Sequence, residues 1–359
     1  MSKYWSEITN NIEPYVPGEQ PRDGKYIKLN TNENPYPPSP KVIEAIKQVT
    51  EENLQLYPDP SCDDLRITVA NYYKLSPNQV FVGNGSDEVL AYSFMAFFNK
   101  EIPILFSDIT YSFYEVYVKL LKLKHTLIPL DDKFNFSVDS FCIANGGIVI
   151  ANPNAPTTKY VSVESLIKIV EFNIESVVII DEAYIDFGGE SLVKFIDNYP
   201  NLVVIQTLSK SRALAGLRVG FAFGDKYLIE GLNRIKNSIN SYTVNRLSLA
   251  GAKASFEDEA YFQSICLKIM DTREKVTRLL RDLEFTVLES KTNFLFVSHK
   301  IQAKIIFKEL RKNRILVRFF DKPRIDNFLR ISIGTNEEME ILISKLREII
   351  LRHNFTSAD

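Results

Sequence analysis

Six short apolar runs, at residues 80–82, 102–106, 147–151, 177–180, 202–207 and 219–223, constrain this chain more than any other feature. A strand with one wet face alternates apolar and polar residues, whereas these runs are nearly continuous in Val, Ile, Leu and Phe. That is the pattern of strands covered on both faces, as in a mostly parallel sheet between layers of helices. Stretches with helical spacing, such as 62–73 and 87–98, are followed by these runs. An α/β fold follows, with a large domain built on a mostly parallel sheet.

Outside that region the pattern changes. Residues 1–40 are dense in Pro, Asn and Gly, which forbids one long helix and reads as an extended arm. Ser39-Pro40 then opens a helix, with Ser39 as its cap. Residues 257–285 read as a single long amphipathic helix. Beyond it, apolar runs at 292–297, 315–319 and 328–333 alternate with helices starting near Gln302 and Asn336. The expected organisation is an arm (1–40), a large domain (41–250) and a small α+β domain (251–359) to which the arm contributes.

Composition excludes several function classes. With a formal net charge of -2, the chain offers no general field for nucleic acid. No apolar run approaches the roughly 20 residues that span a bilayer. Residues 1–10 are polar and include Glu7, so they do not read as a signal peptide, and the cytoplasm is the expected location. Cys62, Cys142 and Cys266 are odd in number and far apart, and His125, His299 and His353 are scattered. Neither a disulfide framework nor a metal site is expected, and Cys142 reads as core.

Chemistry concentrates where strands end, the place where ligands of such sheets bind. Run 202–207 leads into Leu208, Ser209 and Lys210, with Gly216, Leu217 and Arg218 close behind. A lysine at a strand end can serve as an amine nucleophile, and Arg218 is placed to meet a phosphate. By itself, though, a loop lysine is usually just solvated. Run 177–180 leads into Asp181, Glu182, Ala183 and Tyr184. A carboxylate there is costly unless paired, and a protonated pyridine nitrogen is one such partner; capping the next helix is the plainer role. Gly83, Asn84, Gly85, Ser86 and Asp87 open a helix, where free N–H groups favour an anion. Asn152, Pro153, Asn154, Ala155, Pro156 and Thr157 follow run 147–151 as a proline-fixed turn.

Taken together these residues resemble the fold type I aminotransferases that use pyridoxal 5′-phosphate (PLP), and within them the histidinol-phosphate aminotransferase family. The resemblance runs from Tyr15 to about Glu338. It rests on the segment Leu29, Asn30, Thr31, Asn32, Glu33, Asn34 and Pro35; on Tyr57 to Pro60; on Gly83 to Glu88; on Thr110 to Ser112; on Asp181 to Phe187; on Ser209-Lys210 with Ala215 to Arg218; and on Leu329 to Ile331 with Gly334-Thr335. It implies that Lys210 binds PLP as a Schiff base and shuttles a proton, Asp181 pairs with the ring nitrogen, Tyr184 bonds the phenolic oxygen and Tyr111 stacks on the ring. Ser86, Asp87, Ser209 and Arg218 would hold the cofactor phosphate, with Tyr57 reaching it from the other subunit of a homodimer. Arg330, Arg318, Tyr15 and Asn34 would receive the substrates, histidinol phosphate and glutamate or 2-oxoglutarate, in histidine biosynthesis. An aromatic or other amino-acid aminotransferase shares the same cofactor chemistry. So does a lyase resembling threonine-phosphate decarboxylases.

Two departures from the family pattern stand out. Ala155 replaces an Asn that usually touches the phenolic oxygen, which leaves Asn154 as the residue to take its place. Thr158 replaces a Gly, so the turn there is expected not to need a positive φ. A third, smaller one is Thr243 in Tyr242-Thr-Val-Asn245, where a Tyr-Asn-Val-Asn is common.

Overall fold

The computed structural model describes residues 2–51 and 54–356. Its centre is a seven-stranded sheet of β1 (Val80–Gly83), β2 (Ile104–Ser107), β3 (His125–Ile128), β4 (Ile148–Ala151), β5 (Val178–Asp181), β6 (Leu202–Thr207) and β7 (Gly220–Gly224). The spatial order is β1-β7-β6-β5-β4-β2-β3. Only β7 runs against its neighbours, β1 and β6; every other pairing in the sheet is parallel. Every residue of β1, β2, β4, β5, β6 and β7 is buried. That is the physical content of the continuous apolar runs: helices cover both faces, and two separate core clusters lie on the two sides of the sheet.

Edge strand β3 has no such run, and its first three residues are exposed. Three successive exposed residues leave it no apolar run, so periodicity gave no sign of it, whereas β1 at the other edge is buried throughout.

The second sheet holds β8 (Thr286–Val287), β9 (Phe294–Ser298), β10 (Arg318–Phe319) and β11 (Phe328–Ser332), antiparallel in the order β10-β11-β9-β8. It has its own core, to which Leu29 of the N-terminal segment contributes. Residues 315–319 are not one strand. Ile315–Leu316 pairs with Ile27–Lys28 in a two-stranded sheet, and Arg318–Phe319 turns away to join β11. This places the N-terminal segment against the second sheet and brings residues 30–34 over the ends of β5 and β6.

The expected helix over 257–285 is one continuous helix, Glu259–Asp282, and a separate helix, Arg246–Phe256, ends just before it. Ser39 does cap, its Oγ accepting the Lys41 N–H at 3.1 Å. Cys142 is half-buried rather than core; Cys62 and Cys266 are buried. Among the described residues no helix is long and apolar enough to cross a membrane, and no cluster of His, Cys, Asp and Glu could hold a metal ion.

Candidate active site

The carboxyl ends of β5 and β6 open into a cavity of about 330 Å³, roofed by the N-terminal segment and the second sheet. Of the residues singled out above, Lys210, Asp181, Tyr184, Tyr111, Ser86, Asp87, Ser209 and Arg218 line its floor and walls, and Tyr15, Arg318 and Arg330 line its roof.

At one end lies an anion cradle. Helix α1 (Gly85–Phe97) starts directly after β1, with Ser86 and Asp87 in its first turn. Gly85 has φ 80°, and a Cβ there would lie 2.4 Å from Nη2 of Arg218, so only glycine lets the guanidinium cross the helix start. Gly220 does the same for β7, where a Cβ would meet the Ser86 nitrogen at 2.4 Å. Arg218 reaches Asp87 at 3.2 Å and donates to Ser209 Oγ at 3.4 Å. Asp87 also accepts the Tyr111 hydroxyl at 2.8 Å, and its carbonyl accepts the Tyr117 hydroxyl at 2.7 Å. Phosphate oxygens would find here a guanidinium, hydroxyls and helix N–H groups.

Asp181 ends β5 and is buried. Its Oδ2 accepts the Tyr114 hydroxyl at 2.8 Å and its Oδ1 the Ala183 N–H at 3.2 Å. Burial pushes its carboxyl up to about 6 against those two donors, and the Asp87 charge adds to the rise. A carboxylate held this way gains from a protonated ring nitrogen. Next to it, Glu182 points to the other side of the sheet, where Ser191 Oγ, the Leu192 N–H and Gln206 Nε2 satisfy it at 2.6, 2.7 and 2.9 Å.

Lys210 stands across the cavity. Its Nζ donates to the Thr31 carbonyl at 3.3 Å and lies 5.9 Å from the Tyr184 ring centroid. The loop that carries it is tied from three directions. Asn34 Nδ2 donates to the Lys210 and Ser211 carbonyls at 2.9 and 3.2 Å, the Ser211 hydroxyl bonds Asp186, and buried Arg212 sits 3.9 and 4.1 Å from the Phe262 and Phe256 rings.

At the roof, Arg318 and Arg330 occupy directly opposed positions on β10 and β11. Like charges placed so repel, at a cost of about 0.2–1 kcal/mol. Arg330 donates Nη2 to the Asn30 carbonyl at 3.0 Å, while its buried Nε has no partner among the described residues. Burial makes its cationic form harder to keep, and Arg318 adds to this. Two guanidiniums so arranged invite an anion between them. Tyr15 stacks on Phe113 at 4.8 Å between ring centroids.

Three of the expected residues are not in the lining. Asn34 stands behind the lysine loop. Asn154 is spent on its own turn: it accepts the Thr110 hydroxyl at 2.7 Å and donates to the Ile109 carbonyl and Thr157 Oγ1 at 2.9 and 2.8 Å, leaving Ala155 to face the cavity. Tyr57 is 77% exposed and stacks on Tyr242 at 4.7 Å. The expectation at Thr158 is overturned: its φ is 65°, the left-handed region, held by a bond from its hydroxyl to the Glu289 carbonyl at 2.7 Å. Threonine occupies a conformation that glycine usually fills.

Two residues of the site were missed. Tyr114 lies three positions after Tyr111, in the first turn of the helix Phe113–Leu121 that Tyr111 precedes, and that closeness in sequence could have revealed it. Asn32 donates to the Tyr184 hydroxyl at 3.0 Å across 152 residues of sequence, for which no local signal exists. The amine, the buried carboxylate, the phenol and the anion cradle thus share one cavity, and the group they fit is PLP.

A protein-family comparison agrees: the model described as aminotransferase class I and II matches residues 24–346, and the chain belongs to that family, whose members work with PLP. Nearer relatives narrow this. The histidinol-phosphate aminotransferase of Clostridium beijerinckii is 61% identical over 351 residues, covering 98% of each chain, and that of Clostridium acetobutylicum is 60% identical over 98% of this chain and 100% of its own. Among solved structures, the histidinol-phosphate aminotransferase of Sinorhizobium meliloti, in complex with pyridoxal-5′-phosphate, superposes with a TM-score of 0.89 at 22% identity, covering 98% of this chain and 99% of its own. At that identity the likeness is one of fold.

Proposed function

We propose that the chain is a histidinol-phosphate transaminase that exchanges an amino group between histidinol phosphate and 2-oxoglutarate, working as a cytoplasmic homodimer in histidine biosynthesis. PLP supplies an aldehyde that takes up the amino group and a ring that draws electrons from the bond being broken. The protein supplies the rest. Lys210 holds the cofactor covalently, then removes and returns the proton at the substrate carbon that bears nitrogen. Asp181 keeps a proton on the ring nitrogen, Tyr184 donates to the phenolic oxygen, and Tyr111 covers a ring face. Ser86 and Asp87 through their N–H groups, Ser209 and Arg218 hold the cofactor phosphate.

The observation that carries the substrate reading is the opposed pair Arg318 and Arg330, which line the same cavity as the phosphate cradle, with the Nε of Arg330 unpartnered among the described residues. The pair suits the phosphate of one substrate and a carboxylate of the other in turn, and Tyr15 closes over them. Dimerisation is supported by exposed Leu54, Leu56 and Tyr57 (58%, 54% and 77%), which form one apolar patch beside the helix beginning at Arg246. In a dimer Tyr57 would reach the partner's cofactor phosphate.

The test is optical. Purified protein carrying PLP should lose its visible band when histidinol phosphate is added, and 2-oxoglutarate should restore it. A band that responds to phenylalanine or glutamate but not to histidinol phosphate would make it a different amino-acid aminotransferase. Carbon dioxide released from O-phosphothreonine would make it a lyase.

A further inference from the structure

We propose that Asn32 is a positioning residue for the cofactor, its side-chain amide fixing Tyr184 as a hydrogen-bond donor into the cavity. Asn32 has φ 55°, a conformation that Asn tolerates better than most residues. It is gripped from the second sheet. Its N–H donates to Ser332 Oγ at 2.9 Å, the Ser332 hydroxyl donates to its Oδ1 at 2.9 Å, and Asn293 Nδ2 donates to its carbonyl at 3.0 Å. With Oδ1 committed to Ser332, the NH₂ end faces the Tyr184 oxygen at 3.0 Å. An amide nitrogen can only donate, so the phenol accepts on that side and its own proton is directed elsewhere. Tyr184 lines the cavity, and that is where a new acceptor would sit.

This matters more here because of Ala155. That residue lines the cavity without a polar group, and the amide of Asn154 is already bonded to Ile109 and Thr157. The turn at 152–158 therefore offers the phenolic oxygen no side-chain amide, and the donor from Tyr184 acts without that support. A donor binds an anionic oxygen more strongly when the neighbouring nitrogen has no proton to share with it. Tyr184, so oriented, lowers the pH at which the lysine-bound cofactor gives up its proton. The charged groups facing Tyr184 are Lys210 and Arg330, with Asp181 lining the same cavity.

The measurement is the pH midpoint of the bound cofactor's visible absorption change. Asn32→Asp keeps the shape but turns the donor into an acceptor, which captures the Tyr184 proton. We expect the midpoint to rise by about one unit, a tenfold change in the proton equilibrium. A new negative charge also raises it through space, so the same substitution is made in a Tyr184→Phe protein, where the shift should shrink to less than half. Neutral Ser332→Ala frees the amide and should give a smaller rise in the same direction, and it decides the matter if Asn32→Asp does not fold. Equal Asn32→Asp shifts in the two backgrounds, or a midpoint unmoved by Ser332→Ala and Asn32→Asp, would overturn the proposal. The inference rests on PLP binding and not on the choice of amine donor. A wild-type chain that takes up no PLP would sink that reading instead.

Discussion

The floor and the roof of the cavity are built differently. Floor residues come from strand ends of one sheet and are already bonded to one another: Arg218 to Asp87 and Ser209, Tyr111 to Asp87, Tyr114 to Asp181. Roof residues come from the N-terminal segment and the second sheet, and there two arginines oppose each other, one with a guanidinium nitrogen unpartnered among the described residues. A floor of paired groups is organised for a ligand that stays. A roof with unpaired like charges is arranged for ligands that alternate, since its electrostatic cost is relieved only while an anion is bound. The contrast separates cofactor holding from substrate recognition, and substitutions can break it.

The largest effect belongs to Lys210. Lys210→Ala should lower kcat for transamination by at least about 10³-fold, since a positioned proton shuttle alone is worth about 10²–10⁴. Single-turnover kinetics with histidinol phosphate checks this, and near-normal turnover would remove the amine from its role. Next is Arg330→Ala, which should reduce kcat/KM by about 10²–10³ while PLP stays bound, as expected when one partner of a desolvated charge pair is removed. Loss of cofactor from that variant would erase the distinction between floor and roof.

Asp181 sharpens the floor. Its carboxyl titrates near 6 when folded, above the ordinary carboxylate range, because it is buried. The folded chain therefore binds more protons than the unfolded chain between about pH 4 and 6, and cofactor-free protein should lose stability as pH rises through that window. The shift of about two units corresponds to about 3 kcal/mol at most. Glu182, pushed up to about 7 by burial, gives the same sign over a wider window. Asp181→Asn should remove its own share of the slope in denaturant melts followed at pH 4 to 7. The same variant should bind PLP more weakly and lose about 10²–10³ in kcat, the scale for removing one electrostatic contact to reacting groups. An unchanged slope would mean that Asp181 is not the buried acid described here.

The same division decided what could be read from the sequence. Strands buried on both faces announce themselves as apolar runs, and floor residues follow those runs directly, so Asp181, Lys210 and Ser86 were legible where they stand. Edge strand β3 was not, because exposed residues on both of its faces leave no apolar run. Roof residues have no such local marker. Arg318 and Arg330 become neighbours only through strand register, and Asn32 meets Tyr184 only because the N-terminal segment crosses the sheet ends. Asn34 and Asn154 carry the family pattern yet support the lysine loop and a turn, a distinction that depends on which way each amide points. The long helix was legible because its apolar residues recur at helical spacing, and Glu259–Asp282 fills nearly all of the expected range.

Thr158 lies where the two halves meet, and it carries the smallest prediction. The turn takes φ 65° there, and the threonine hydroxyl ties it to the Glu289 carbonyl beside the second sheet. Left-handed backbone costs a residue with a Cβ about 1–2 kcal/mol, and one such hydrogen bond contributes about 1 kcal/mol. The two nearly cancel, so Thr158→Gly should change stability by less than about 1 kcal/mol in denaturant melts. Thr158→Ala keeps the strained backbone and loses the tie, and should destabilise by about 1 kcal/mol. The gap between the two variants measures the strain itself, and a gap of zero would mean that none is stored there. Neither should alter cofactor retention, because Thr158 is buried behind the lining and the groups that face PLP belong to the floor.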